Sequence, residues 1–301
     1  MRRGDRVTAY GGIETGGSKW TCAVGTGPED MRATATFATG APAETIARAV
    51  DFFRDGNQVA AIGIGSFGPV DVRAGSATWG HVTTTPKPGW ANVDLAGAIA
   101  RELDVPVAFD TDVNAAALGE HRWGAAQGIE TFVYITVGTG IGGGGMARGR
   151  LLHGLVHPEF GHMRIPHDPD DTFAGACPYH GDCWEGLASG RAIAERWGAP
   201  GHTLDAEHVW ALEARYLALG VVCVVAVLSP AVVILGGGVM QRDGLLEQVR
   251  ADVDRLLAGY VDAPEIVHPA LGPRSGVVGA LALAEELVAL RDDVRYEPAE
   301  R

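Results

Sequence analysis

Sulfur is scarce in this chain. Four cysteines in 301 residues are too few for a small secreted scaffold built on disulfides. Positive charge is in deficit, with 24 basic against 37 acidic side chains and a formal charge of −13. Such a surface repels phosphate backbones, which excludes nucleic acid as a general partner. The opening MRRGDRVTAY has no apolar run behind its basic residues, so no secretory signal is expected. One uncharged run, Leu217 to Met240, has the length of a bilayer span. Ser229-Pro230 cuts it and three glycines end it, so it reads as a buried helix to about Leu228 and a buried strand Val232–Leu235, with no membrane. The phosphate-loop pattern G-x-x-x-x-G-K-[ST] is absent. Gly63/Gly65/Gly68 and Gly140/Gly142/Gly145 match a dinucleotide fingerprint by spacing alone, because neither opens a helix. A cytoplasmic protein is expected.

What remains is an ordinary globular balance, 47% apolar and 20% charged, in a chain long enough for two lobes. The first strand reaches Glu14, turns at Gly16-Gly17 and returns through KWTCAV. A helix is expected at Pro42–Arg54, a buried strand at 59–65, another strand through VPVAF, and a helix from about Asn114. The opening form then recurs: strand TFVYITV, glycine turn GTGIGGGG, return strand MARGRLL. Two glycine-turned hairpins, each starting a mixed β/α segment, outline a duplicated architecture. An irregular stretch from Gly154 to about Gly190 follows, then helices near Ala192–Trp197, Asp205–Leu228 and Gly244–Tyr260, a strand near Ile266–His268 and a last helix near Gly276–Leu290.

Two features ask for chemistry. TGGS alone needs no more than a tight hairpin. TVGTGIGGGG holds six glycines in eight residues, more than a short turn requires, and its bare N–H groups with the Thr139 hydroxyl suit an anion. Gly236–Gly238 end a buried strand and suit close approach of a flat ligand. The second feature is CPYHGDC, where Cys177 and Cys183 bracket His180. In a reducing compartment, metal binding is the better reading of that pair.

Taken together, GIETGGSK, FDTDVNAAALGEHRWGAA, YITVGTGIGGG, HPEFGH, CPYHGDCWEGLASG and VILGGGVM resemble the ROK family (repressors, uncharacterised frames and kinases), in family order from about Tyr10 to about Leu290. SFGPVDV, HVTTTPKPGW and CPYHGDC are most similar to its bacterial zinc-containing fructokinases. The resemblance implies an α/β, two-lobe actin-like ATPase fold (ribonuclease H-like, duplicated) with an interlobe cleft. It implies a small lobe of residues 1–112 and 277–301, and a large lobe of 113–276 with a zinc-binding loop at 157–190. By the same resemblance Gly16, Gly17, Ser18, Lys19, Gly138, Thr139 and Gly140 hold the phosphates of ATP, and Gly236, Gly237 and Gly238 pack on its adenosine. Asp112 matches the catalytic base, and Glu159, His162 and Glu185 match sugar ligands. His162, Cys177, His180 and Cys183 make a filled S₂N₂ set for a structural Zn²⁺; Mg²⁺ accompanies ATP.

The implied activity is phosphorylation of a hexose by ATP, D-fructose to D-fructose 6-phosphate, in a homodimer. Glucose, mannose and N-acetylhexosamines are the alternative acceptors. Residue by residue, local readings stand beside the functional ones. Asp112 could be a helix cap, Lys19 a strand-edge decoration, Trp90 either core or a substrate platform. Glu14 stands where many family members carry Asp, which leaves its contact with Mg²⁺ open. Thr111 replaces the usual Asn of glucose-type members and favours another sugar. A sugar-responsive regulator without its DNA-binding domain is the distant alternative. A zinc-held interaction module is a third class, and it leaves Asp112 and both glycine hairpins unexplained.

Overall fold

The computed structural model describes residues 9–295. Contacts divide the chain into two compact units, one of 1–123, 155–157 and 274–301, the other of 124–154 and 158–273.

The first unit opens on β1 (Tyr10–Thr15) and β2 (Lys19–Gly27), an antiparallel hairpin. Its edge is β3 (Asp30–Ala38), and α1 (Pro42–Arg54) follows with Pro42 in its first turn and Ala49, Val50 and Phe53 buried. Proline costs nothing there, because the N–H it lacks would have no helical partner. Then come β4 (Ile62–Ser66), the short pair β5 (His81–Val82) and β6 (Val93–Asp94), α2 (Leu95–Leu103), β7 (Val107–Thr111) and α3 (Asp112–Trp123). Asp94 caps α2 by accepting from Gly97 N at 2.9 Å. The sheet runs β3-β2-β1-β4-β7, with β4 parallel to both β1 and β7. Ile13, Trp20, Ile62, Ile64, Trp90, Leu95 and Ile99, all fully buried, form its core.

The second unit repeats that plan. Its strands are β8 (Phe132–Val137), β9 (Ile141–Ala147), β10 (Arg150–Leu151), β11 (Val232–Gly236) and β12 (Glu265–Val267), in the order β10-β9-β8-β11-β12. Each sheet therefore has its hairpin return, hairpin lead and two parallel strands in the same sequence of neighbours, the duplication expected from the two glycine hairpins. Between β10 and β11 lie α4 (Trp184–Ala188), α5 (Gly190–Trp197) and α6 (Glu207–Leu228); α7 (Leu245–Leu257) follows β11. The last helix, α8 (Ser275–Arg295), returns to the first unit.

Three expectations change in detail. The glycine run does not form one long turn: Gly142 to Gly145 pair with Thr136 to Val133 inside β9, and only 138–140 turn. The missing side chains serve packing, since a Cβ on Gly143 would lie 2.5 Å from the Phe160 ring. The lobe boundary expected at Asp112 differs from the contacts, which carry the first unit on to Trp123. There α3 packs along α8, and the buried Ser275 hydroxyl donates to Glu120 at 2.7 Å. Segment 155–157 also joins the first unit, where Val70 N donates to His157 Nε2 at 3.1 Å. The expected lobe ends 1–8 and 296–301 lie outside the described residues.

The uncharged run behaves as its sequence requires. Helix α6 stops at Ser229, which takes a left-handed φ of 46° before Pro230, and β11 is buried throughout. Length and a mean hydropathy of 2.0 over its most apolar window would suit a span, but half of that window is buried within the unit. Its buried face meets Trp184, fully enclosed, at Gly220: a Cβ there would sit 2.0 Å from Trp184 Cε2. Alanine ordinarily helps a helix by about 1 kcal/mol over glycine. Here the collision should reverse the sign, so Gly220→Ala is expected to lose about 1–3 kcal/mol in urea unfolding. A gain in stability would contradict this packing.

Candidate functional site

Residues 158–190 carry little apolar material, yet they bring four ligand atoms together. The donor atoms of His162, Cys177, His180 and Cys183 all lie within 4.8 Å of one another. Cys177 Sγ is 3.7 Å from both His162 Nδ1 and His180 Nδ1, Cys183 Sγ is 3.5 Å from His162 Nδ1, and the two Nδ1 atoms are 3.2 Å apart. A tetrahedral ion with bonds of about 2.3 Å to sulfur and 2.0–2.1 Å to nitrogen sets S···N edges of about 3.6 Å and N···N edges of about 3.3 Å. The donor set therefore fits such a metal in both chemistry and spacing. Burial pushes the Cys183 thiol up to about 11, so taking up a cation would release its proton.

The loop is closed by its own backbone. Cys177 and Gly181 exchange N–H···O bonds of 3.1 and 3.0 Å, and Arg164 donates to His180 O at 2.8 Å while pairing with Asp182. Cys183 precedes α4, whose first turn carries Glu185. Glu185 Oε2 accepts from Ile141 N at 2.9 Å, and a Cβ on Gly140 would lie 2.4 Å from that oxygen. Gly190 N donates to Gly138 O at 2.7 Å. The metal-ligand loop and the second glycine turn are thus one assembly. Gly237, at φ 93°, packs on Val137 next to the same turn.

Two carboxylates border the ligands. Glu159 Oε2 is 4.0 Å from His162 Nε2, so this imidazole turns one nitrogen to the cysteines and the other to a carboxylate. Its surroundings and the Glu185 charge push Glu159 up to about 7. A cation on the four ligands would draw that value down again. Burial, offset in part by Glu185, lowers His162, which favours the neutral ring a metal requires.

In the first unit, Asp112 begins α3 after β7. Thr111 fills the capping role weighed for Asp112: its hydroxyl oxygen accepts from Asn114 N at 3.0 Å. Asp112 is half-buried and accepts from Val113 N at 2.9 Å. Buried Asp110 locks this turn by accepting from Thr111 N at 2.7 Å and Asn114 Nδ2 at 2.9 Å. The first glycine turn closes through Gly16 N donating to Lys19 O at 2.8 Å, and Gly17, Ser18 and Lys19 are exposed. Glu14 points away from that tip to the start of α8, where Val277 N donates to it; burial, partly countered by Lys19, raises its pKa. Trp90 is core, with no exposed surface.

Sequence reasoning missed the charges beneath the ligand loop. Arg196, 5% exposed, donates from Nη2 to Leu187 O at 2.8 Å, at the end of α4, and its Nε lies 3.2 Å from Asp171 Oδ2. It stacks over Phe173 and Tyr216 at 4.7 and 5.4 Å. Burial alone would raise Asp171, but the Tyr216 hydroxyl, Phe173 N, Arg196 and His167 bring it below the usual carboxylate range. Glu213 beside them is 1% exposed, and neither carboxylate oxygen has a hydrogen-bond partner. Burial lifts its pKa well above the ordinary value, against the pull of Arg196. The i, i+3 placement of Glu213 and Tyr216 within an apolar helix was the available signal.

The folded state holds the Glu213 proton more tightly than the unfolded chain does. Its contribution is therefore complete below the ordinary carboxylate pKa and is lost as pH rises through the folded value. Glu213→Gln should match the wild type near pH 4, then gain on it as pH rises, with a slope approaching about 1.4 kcal/mol per pH unit. Urea midpoints at pH 5 and pH 8 check this; an equal gap at both would contradict it.

The sequence pattern described as "ROK family" matches residues 10–287. A Bacillus subtilis (strain 168) protein whose name marks it a provisional fructokinase is 46% identical over 92% of this chain and 95% of its own. A Zymomonas mobilis fructokinase is 44% identical over 91% of this chain and 96% of its own. Among solved structures, a ROK family glucokinase from Streptomyces griseus in complex with glucose and AMPPNP superposes with a TM-score of 0.76 at 28% identity, covering 93% of this chain and 99% of that one.

Proposed function

We propose, for a chain that belongs to the ROK family, that it is a fructokinase moving the terminal phosphate of ATP to D-fructose and forming D-fructose 6-phosphate. The observation that carries this reading is the identity of 44–46% to chains named for fructokinase activity, against 28% to the glucokinase. The ROK assignment and the duplicated sheets support the actin-like ATPase fold that such a kinase uses.

ATP enters with a divalent cation, Mg²⁺ in this reading, as one substrate. Turns 16–19 and 138–140 offer backbone N–H groups to its phosphates, and Gly236–Gly238 pack on its adenosine. Glu159, His162 through Nε2, and Glu185 take the hydroxyls of the hexose, since carboxylates are strong acceptors and discriminate against analogues lacking a hydroxyl. In the transfer, the fructose 6-hydroxyl oxygen bonds to the terminal phosphorus with its own electron pair. The bond from that phosphorus to the bridging oxygen breaks, its pair leaves with ADP, and the hydroxyl proton passes to the Asp112 carboxylate. The four-residue Cys/His set holds one structural Zn²⁺, which fixes the loop on which all three sugar ligands stand. The chain works in the cytoplasm as a homodimer. The half-exposed apolar side of α6, with Leu212, Leu219, Val222 and an 80% exposed Val227, supports a covered surface there.

Two experiments test the reading. Because Thr111 rather than Asp112 caps α3, Asp112→Asn should keep the wild-type melting curve while turnover falls by about 10²–10⁴. Near-normal turnover would remove Asp112 as the base. For the metal, elemental analysis of purified protein should find about one zinc per chain. Cys183→Ser should lower that content and raise the KM for fructose more than the KM for ATP. Protein with full activity and no zinc would exclude the structural role.

A further inference from the structure

The chain has only two lysines, Lys19 and Lys87; the other 22 of its 24 basic side chains are arginine. Both lysines stand at the first glycine turn. Lys19 closes that turn, and the Lys87 ammonium donates to the carbonyl of Gly17 at its tip. Arginine's planar fork suits fixed carboxylates, whereas a lysine ammonium is a compact point charge with three donors that can follow a moving group.

The approach of Lys87 is built into the fold. It sits between Pro86 and Pro88, whose rings fix the backbone on either side. Its own N–H donates to Thr85 Oγ1 at 3.3 Å, and Trp90 N donates to its carbonyl at 3.2 Å. Trp90, fully buried, is anchored by Nε1 on Gly40 O at 3.1 Å and packs on Trp20 at 5.6 Å, the residue that follows Lys19. One tryptophan pair therefore fixes both lysine-bearing segments. Lys19 has the Glu14 carboxylate as an electrostatic partner. Lys87 makes no ion pair among the described residues, so its charge at the turn is left for a ligand.

We propose that Lys87 is a phosphate-contacting residue of the transfer. Its ammonium, moored on the Gly17 carbonyl, meets the terminal phosphate of ATP and offsets the charge on its oxygens as the phosphoryl group moves. No bond to Lys87 forms or breaks; the bonds and the proton are those of the transfer described above. The proposal rests on the reading that the turn at 16–19 holds the phosphates of ATP.

Lys87→Met should lower kcat by about 10²–10³, with the KM for fructose within about threefold of wild type. Lys87→Arg, which keeps the charge but not the compact shape, should recover part of the loss. A second measurement uses the unaltered protein. Acetic anhydride labels amines, and mass spectrometry reads Lys19 and Lys87 separately, since no other lysine is present. Mg·AMPPNP should protect both sites, and fructose alone should protect neither. Protection of Lys19 without Lys87, or a Lys87→Met variant with kcat within about threefold of wild type, overturns the proposal and leaves the first-turn reading intact. Protection of neither lysine overturns both.

Discussion

The hydrogen bond from Ile141 N to Glu185 Oε2, 2.9 Å long, joins two pieces of chain that neither sheet nor helix would bring together. On one side is the turn between β8 and β9; on the other is the five-residue α4, which follows the ligand Cys183. The bond requires Gly140 to have no side chain, and it directs a carboxylate to the base of the loop that carries Glu159 and His162. If Glu185 left this position, Ile141 N would lose its acceptor, and the turn would meet this segment through Gly190 N on Gly138 O. A part-buried hydrogen bond to a carboxylate contributes on the order of 1 kcal/mol or more, above the median exposed ion pair.

That bond depends on support from below. The loop is too polar to be held by a core; four Cys/His side chains converge within it, and Arg196 holds the end of α4 from beneath. Arg196 pairs with Asp171 and lies beside Glu213, whose carboxylate oxygens have no hydrogen-bond partner and whose pKa burial raises. Buried ion pairs add little net stability but cost heavily when one member is removed. The arrangement therefore reads as a device for position rather than for stability.

Much of this was legible in the sequence because the signals are local. The glycine hairpins, the Ser229-Pro230 break and the cysteine spacing each constrain a short segment directly. The resemblance supplied His162, which spacing alone does not connect to Cys177. What stayed hidden depends on placement across long separations. Gly142 to Gly145 look like a turn until Phe160 is packed against Gly143. Helix α3 looks like the start of a second lobe until α8, more than 150 residues later, lies along it. The capping role weighed for Asp112 passed to Thr111, a shift of one residue that no composition signal resolves. Arg196, Asp171 and Glu213 gave no sign of acting as a group, because a charge pattern shows partners only once the fold supplies them.

The central claim is that this site phosphorylates fructose in preference to other hexoses. The most direct measurement is kcat/KM for fructose, glucose, mannose and N-acetylmannosamine with Mg·ATP, with the product identified by phosphorus NMR. The account predicts fructose as the leading acceptor, with the phosphate on the 6-hydroxyl. Glucose or mannose leading by tenfold or more, about 1.4 kcal/mol in transition-state binding, would contradict it.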